Sequence, residues 1–111
     1  MAWPSELRLN AARDVLTVAF DDGAQYALAA EYLRVESPSA EVRGHGPGQK
    51  IIVTGAQDVR IDRLEPIGNY AVRIIFDDGH DTGLYSWDYL HKLGREHDRI
   101  WGDYLKARAA L

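Results

Sequence analysis

Apolar positions along this chain fall in short runs bounded by turn-forming residues. Residues 15–20, VLTVAF, and 70–76, YAVRIIF, are rich in β-branched and aromatic side chains, as half-buried strands are. Asp-Asp-Gly follows each run, so the tetrapeptide FDDG occurs at 20–23 and again at 76–79. Asp accepts bonds from nearby backbone N–H groups and Gly reaches positive φ without steric cost, so both copies predict hairpin turns. Acidic pairs also suit acid–base work or Mg²⁺ ligation, but the glycine directly after them favours the turn.

The likeness of the two copies extends further. Leu28 lies eight residues after Phe20 and Leu84 eight after Phe76, and Tyr32-Leu33 matches Tyr89-Leu90 with one residue inserted in the second copy. Two related strand–turn–strand–helix units are expected, joined by internal duplication. ELRLN and LTVAF, linked by AARD, and the two runs flanking Gly68-Asn69 add further hairpins. Five or six short strands result, mostly antiparallel because their connections are short.

The C-terminal part changes period. Ser86 is a good N-cap for WDYLHKL, with Asp88 in the first turn and Gly94 as the expected stop. From Arg95 onward Ile100, Trp101, Tyr104, Leu105 and Leu111 recur at helical spacing, a stripe read as core. The fold class is α+β: small antiparallel sheets built from the two FDDG repeats, packed with C-terminal helices, in one domain over 1–111.

Only 36–50 resists assignment. It holds two prolines and three glycines with no sustained period, and a structureless loop of that length is the leading place for a site. GHGPGQK within it fails the phosphate-loop pattern: its glycines alternate, Gln49 precedes Lys50, and the strand-like IIV follows where a helix is required. The histidines, His45, His80, His91 and His97, show no metal-ligand spacing, and His80, after the second turn, is expected to be exposed. There is no G-x-S-x-G elbow, so no catalytic residue is assigned.

Charge and cysteine content narrow the partners. A formal charge of −4 over 111 residues repels a phosphate backbone, so nucleic acid is not expected. The absence of cysteine excludes disulfides, thiolate metal sites and thiol nucleophiles. Apolar runs of about five residues are far below the roughly 20 needed to span a bilayer. With no apolar signal core in MAWPSELRLN, a cytoplasmic location away from membranes is expected.

Taken together, WPSELRL, LTVAFDDG, YALAAEYLRVESPSAEVRGHGPGQ and DVRIDRLEPIGNYAVRIIFDDGHDTGLYSWDYLHKLG resemble the DUF971 family, the γ-butyrobetaine hydroxylase-like N-terminal domain, over about 7–94. In the hydroxylases the resemblance implies a zinc site of three cysteines, in a C-x-C-x-x-C cluster after Leu-Arg, and a later histidine. Aligned on Leu33-Arg34, those positions here are Ser37, Ser39, Val42 and His80. Serine stays protonated at neutral pH and is a poor zinc ligand, so the family zinc is expected to be lost and no cofactor is expected. The oxygenase domain and its facial triad have no counterpart in this chain.

The resemblance also implies partners by analogy, since the family occurs fused to iron–sulfur scaffold ATPases and to iron- and 2-oxoglutarate-dependent oxygenases. The expected function is a non-catalytic accessory module that binds another protein, as a monomer or weak homo-oligomer. Its binding candidates are Arg34, Ser37, Ser39, Arg43, His45 and Lys50, with Trp3, Trp87 and Trp101 as anchors where exposed. The alternatives are a metal-binding or substrate-recognition domain serving a separate oxygenase, and an independent enzyme.

Overall fold

A computed structural model describes residues 2–43 and 50–111 of the chain. The first half runs β1 (Pro4–Leu9), β2 (Val15–Phe20), β3 (Gln25–Ala29) and α1 (Ala30–Val35), followed by the single turn α2 (Ala40–Arg43). The second half runs β4 (Ile61–Ile67), β5 (Ala71–Phe76), β6 (Leu84–Ser86) and α3 (Trp87–Arg95), and α4 (His97–Ala109) ends the chain. The strands form two three-stranded antiparallel sheets, ordered β1-β2-β3 and β4-β5-β6. The α+β expectation holds, as two separate sheets.

Period-two burial decides which face of each sheet turns inward. Leu16, Val18 and Phe20 of β2 are buried while Val15, Thr17 and Ala19 are half-buried. In β5 both faces are covered, Ala71 and Ile75 on one and Val72, Ile74 and Phe76 on the other, and the last three join Leu33, Leu90 and Leu93 of the two helices in one core.

The repeated FDDG plays the same structural part twice. In each copy the glycine N–H donates to the Phe carbonyl, with Gly23 at φ 89° and Gly79 at φ 92°, a conformation open to glycine. The first Asp ties the turn to the residue before the partner strand. Asp21 Oδ1 accepts from the Trp3 N–H and Asp77 Oδ1 from the Arg60 N–H. The second Asp caps its own turn, on Ala24 and His80 respectively. It then reaches across to the other half's helix: Asp22 meets His91 Nε2 of α3 at 2.9 Å, and Asp78 accepts from Arg34 Nε of α1 at 2.8 Å.

Three expectations are corrected. Leu84 does not correspond to Leu28: it is exposed, and Tyr85 pairs with Val72 as Leu28 pairs with Leu16. The extra residue of the second half therefore lies before β6. Gly94 does not stop α3, which continues through it to Arg95; the glycine makes room for the ring of Tyr26, which packs where a side chain would be. In the C-terminal stripe Tyr104 is buried and Ile100 and Trp101 pack on the core, but Leu105 and Leu111 are exposed.

Candidate functional site

Residues 36–43, the described part of the segment after α1, carry a capped helical turn. Ser39 acts as a local cap, its Oγ accepting from the Glu41 N–H at 3.2 Å and its carbonyl from the Val42 N–H at 3.0 Å. The following Ala-Glu-Val-Arg turn drives Val42 inward to 2% exposure. Residues 44–49, with His45, lie outside the described residues.

The four positions singled out by alignment fall around one buried polar cluster. Ser37 Oγ lies 2.8 Å from His80 Nε2, and Ser39 Oγ lies 2.7 Å from Thr82 Oγ1. His80, expected to be exposed, is 5% exposed, because the 79–83 connection folds over α2. Its Nδ1 lies 3.0 Å from Glu41 Oε2. The carboxylate places a hydrogen on Nδ1, which donates to Glu41, while Nε2 meets the Ser37 hydroxyl. Ser37 Oγ also accepts from the Ser39 N–H at 3.2 Å. Gly83 closes the lid: a Cβ there would stand 2.6 Å from Ser37 Oγ and 3.0 Å from Tyr85 Cε1.

Serine, histidine and glutamate are thus linked in the order of an acyl-transfer triad. Sequence reading missed Glu41 and Thr82, and with them this connectivity. A nucleophile must nevertheless meet a carbonyl carbon, and Ser37 is 0% exposed beneath Gly83 and Tyr85. The neighbouring cleft is not lined by Ser37 or His80. The arrangement ties α2 to the 79–83 connection rather than presenting a nucleophile.

The remaining described binding candidates are held by other partners. Arg34 is committed to Asp78. Arg43 and Lys50 converge on Glu36, whose side chain is 4% exposed: Lys50 Nζ donates to Oε1 at 2.7 Å and Arg43 Nη2 stands 3.7 Å from it. Arg43 also donates to the Glu36 carbonyl and the Tyr89 hydroxyl, and lies 5.5 Å over the Tyr89 ring. These groups form one wall of an open cleft of about 330 Å³, closed on the other side by α3 and α4. Of the tryptophans, Trp3 is exposed, Trp87 is half-buried with Nε1 donating to the Asn69 carbonyl, and Trp101 is half-buried and stacks on Tyr104.

Among the described residues, no group of three or more His, Cys, Asp or Glu side chains could hold a metal, and no helix is long and apolar enough to cross a membrane.

Comparison with known proteins places these features in a family. The family model described as "Gamma-butyrobetaine hydroxylase-like, N-terminal" matches residues 7–91. No curated protein matches the chain. Two NMR solution structures are 45% and 46% identical, cover 98% and 99% of this chain and 86% and 83% of their own, and superpose with TM-scores of 0.84 and 0.82. A crystal structure of a DUF971 protein of unknown function from Acidithiobacillus ferrooxidans is 38% identical, covers 82% of this chain and 91% of its own, and has a TM-score of 0.69. The chain belongs to the γ-butyrobetaine hydroxylase-like N-terminal family, also called DUF971.

Proposed function

We propose that this protein is a non-catalytic accessory module that binds another protein and carries no zinc at the position where its hydroxylase relatives would hold one. The observation that carries this reading is the closed hydrogen bonding of the polar cluster. Both imidazole nitrogens of His80 are engaged, by Ser37 and Glu41, and Ser39 is engaged by Thr82. The fourth position, Val42, offers an alkyl group. Two neutral hydroxyls, a methyl-bearing carbon chain and a fully hydrogen-bonded imidazole do not fit Zn²⁺, which takes thiolate, free imidazole nitrogen or carboxylate oxygen.

The hydrogen bonds then serve the purpose that a metal otherwise serves, holding α2 to the β5–β6 connection. Recognition is left to the surface beside them, where Arg43 and Lys50 are held in place by Glu36. The first partners to try, by analogy with the family's other architectures, are an iron–sulfur scaffold ATPase and a separate oxygenase.

Metal analysis of protein purified without an affinity tag, followed by titration with Zn²⁺ and Fe²⁺, tests the reading. The expected result is less than one-tenth equivalent of metal, no change in thermal midpoint on adding zinc or chelator, and ester hydrolysis identical in wild type and Ser37→Ala. Stoichiometric metal that is lost in His80→Ala, or a Ser37-dependent hydrolysis, overturns it.

A further inference from the structure

The cleft beside the polar cluster is a feature of this surface that the family assignment leaves unexplained. Its charge is uneven. Glu36 is buried and neutralised on one oxygen by Lys50, with Arg43 alongside, while Arg99 is balanced by Glu96 and Asp103. Lys92 on α3 has no ion-pair partner among the described residues and is exposed. Of the lining side chains, Arg43, Lys50, Lys92 and Arg99 outnumber Glu36 and Asp103. A locally positive trough therefore sits on a chain of net charge −4, and this contrast steers an anionic partner to one place.

Two further properties define the occupant. Beside the cations the cleft is lined by apolar Ile52, Ile100 and Ala107 and by the rings of Tyr89 and Tyr104, and these apolar groups are taken as its floor. An anion alone leaves that floor wet, so the ligand carries apolar bulk beside its negative charge. The volume, about 330 Å³, is at the lower bound of small-molecule sites, which enclose most of their ligand. An open trough of this size holds one or two side chains of a longer chain. Its basic wall is also pre-set: the buried Glu36 carboxylate and the Tyr89 ring hold Arg43 in place, and Glu36 holds Lys50, so little side-chain freedom is lost on binding.

We propose that this cleft docks an acidic peptide segment of a protein partner, an apolar side chain filling the floor and adjacent carboxylates meeting Lys50 and Lys92. The proposal rests on the protein-binding reading above and names the chemistry of its partner.

The test is a titration of the ¹⁵N-labelled full chain, followed by backbone amide shifts. The probe is the capped peptide Ac-Leu-Asp-Glu-Leu-Asp-NH₂, and its amide counterpart Ac-Leu-Asn-Gln-Leu-Asn-NH₂ keeps the shape without the charge. Disodium glutarate and inorganic phosphate stand for free small anions. The acidic peptide should move the amides of Lys50, Ile52, Tyr89, Lys92 and Ile100, and should bind roughly tenfold more weakly at about 0.5 M salt. Lys92→Glu should weaken it about tenfold. Lys106→Glu, which changes net charge equally but lies outside the cleft lining, should leave it within about twofold.

Equal binding of the amide peptide, shifts that map elsewhere, equal effects of the two lysine variants, or no shift at millimolar peptide would each overturn the proposal. Glutarate or phosphate binding as tightly as the peptide would overturn it in favour of a small-anion site. Both lysine variants are exposed substitutions, and their own spectra report whether the fold is intact. The parent reading fails separately, on metal content or Ser37-dependent hydrolysis, whatever the cleft binds.

Discussion

Two helical glycines show how far a residue's meaning depends on what stands beside it. Propensity treats Gly94 and Gly102 alike, each costing its helix roughly 1 kcal/mol relative to Ala. Around Gly102 no atom lies within reach of an added Cβ, whereas a Cβ on Gly94 falls onto the ring of Tyr26. Gly102→Ala should therefore raise stability by up to about 1 kcal/mol, roughly 4 °C in thermal midpoint for a domain of this size. Gly94→Ala should lower it by about 1–3 kcal/mol, because the aromatic ring at the β3–α3 contact has to move. Calorimetry on the two single variants checks both signs, and a shared sign would show that packing at Tyr26 does not govern position 94. In the sequence Gly94 reads as a helix stop, since a glycine after a periodic run is the usual stop signal and nothing local announces a ring from another strand.

At the scale of elements, the least legible segment was the one that holds the site. Proline and glycine content made 36–50 read as a loop without structure of its own, yet Ser39 followed by Ala-Glu-Val-Arg carries a capped helical turn. That local signal was present and was outweighed by composition. The pairing of Ser37 with His80 and of Ser39 with Thr82 was not legible from residue chemistry, because each bond joins residues about forty positions apart. Only alignment to the family put Ser37 and His80 in one frame. If the cluster clamps α2 to the β5–β6 connection, Ser37→Ala leaves a buried imidazole nitrogen without its hydrogen-bond partner and costs about 1–3 kcal/mol. Gly83→Ala should cost a similar amount by wedging a Cβ against Ser37 Oγ. In a denaturant-based double-mutant cycle, Ser37→Ala with His80→Ala should lose clearly less than the sum of the singles. Strict additivity would mean that the 2.8 Å contact contributes nothing to the clamp.

Across the whole molecule, the repeat that was plain in the sequence proves to organise how the halves hold one another. The expected hairpins at both FDDG turns and at Gly68 are present, since turn chemistry and strand alternation are local properties. The reciprocity between halves was not legible: Tyr32 of α1 donates its hydroxyl to the Leu93 carbonyl of α3, and Tyr85 of the second sheet donates to the Leu33 carbonyl of α1. Both phenols are buried, and burial pushes both pKa values up from their ordinary value near 10. At the acid side Asp22 is held below the usual carboxylate range, chiefly by its bond from the Ala24 N–H and then by His91. Its contribution is complete above its ordinary value of 3.8 and is lost as pH falls through the lowered one.

The tyrosines have the opposite sign. Folding favours their protonated form, so their contribution is complete below about pH 10 and is lost as pH rises beyond it, while the unfolded chain ionises freely. Urea unfolding followed from about pH 8 to about pH 11 should show a flat plateau and then a fall in midpoint. Tyr85→Phe should lower the plateau, since it leaves the Leu33 carbonyl unpaired, by about 1–3 kcal/mol. The same variant should make the alkaline fall shallower than in wild type, because one of the two groups that resist ionisation is gone. An alkaline limb unchanged in both Tyr85→Phe and Tyr32→Phe would assign the loss of stability to general charge repulsion, and would remove the two phenols from the junction between the halves.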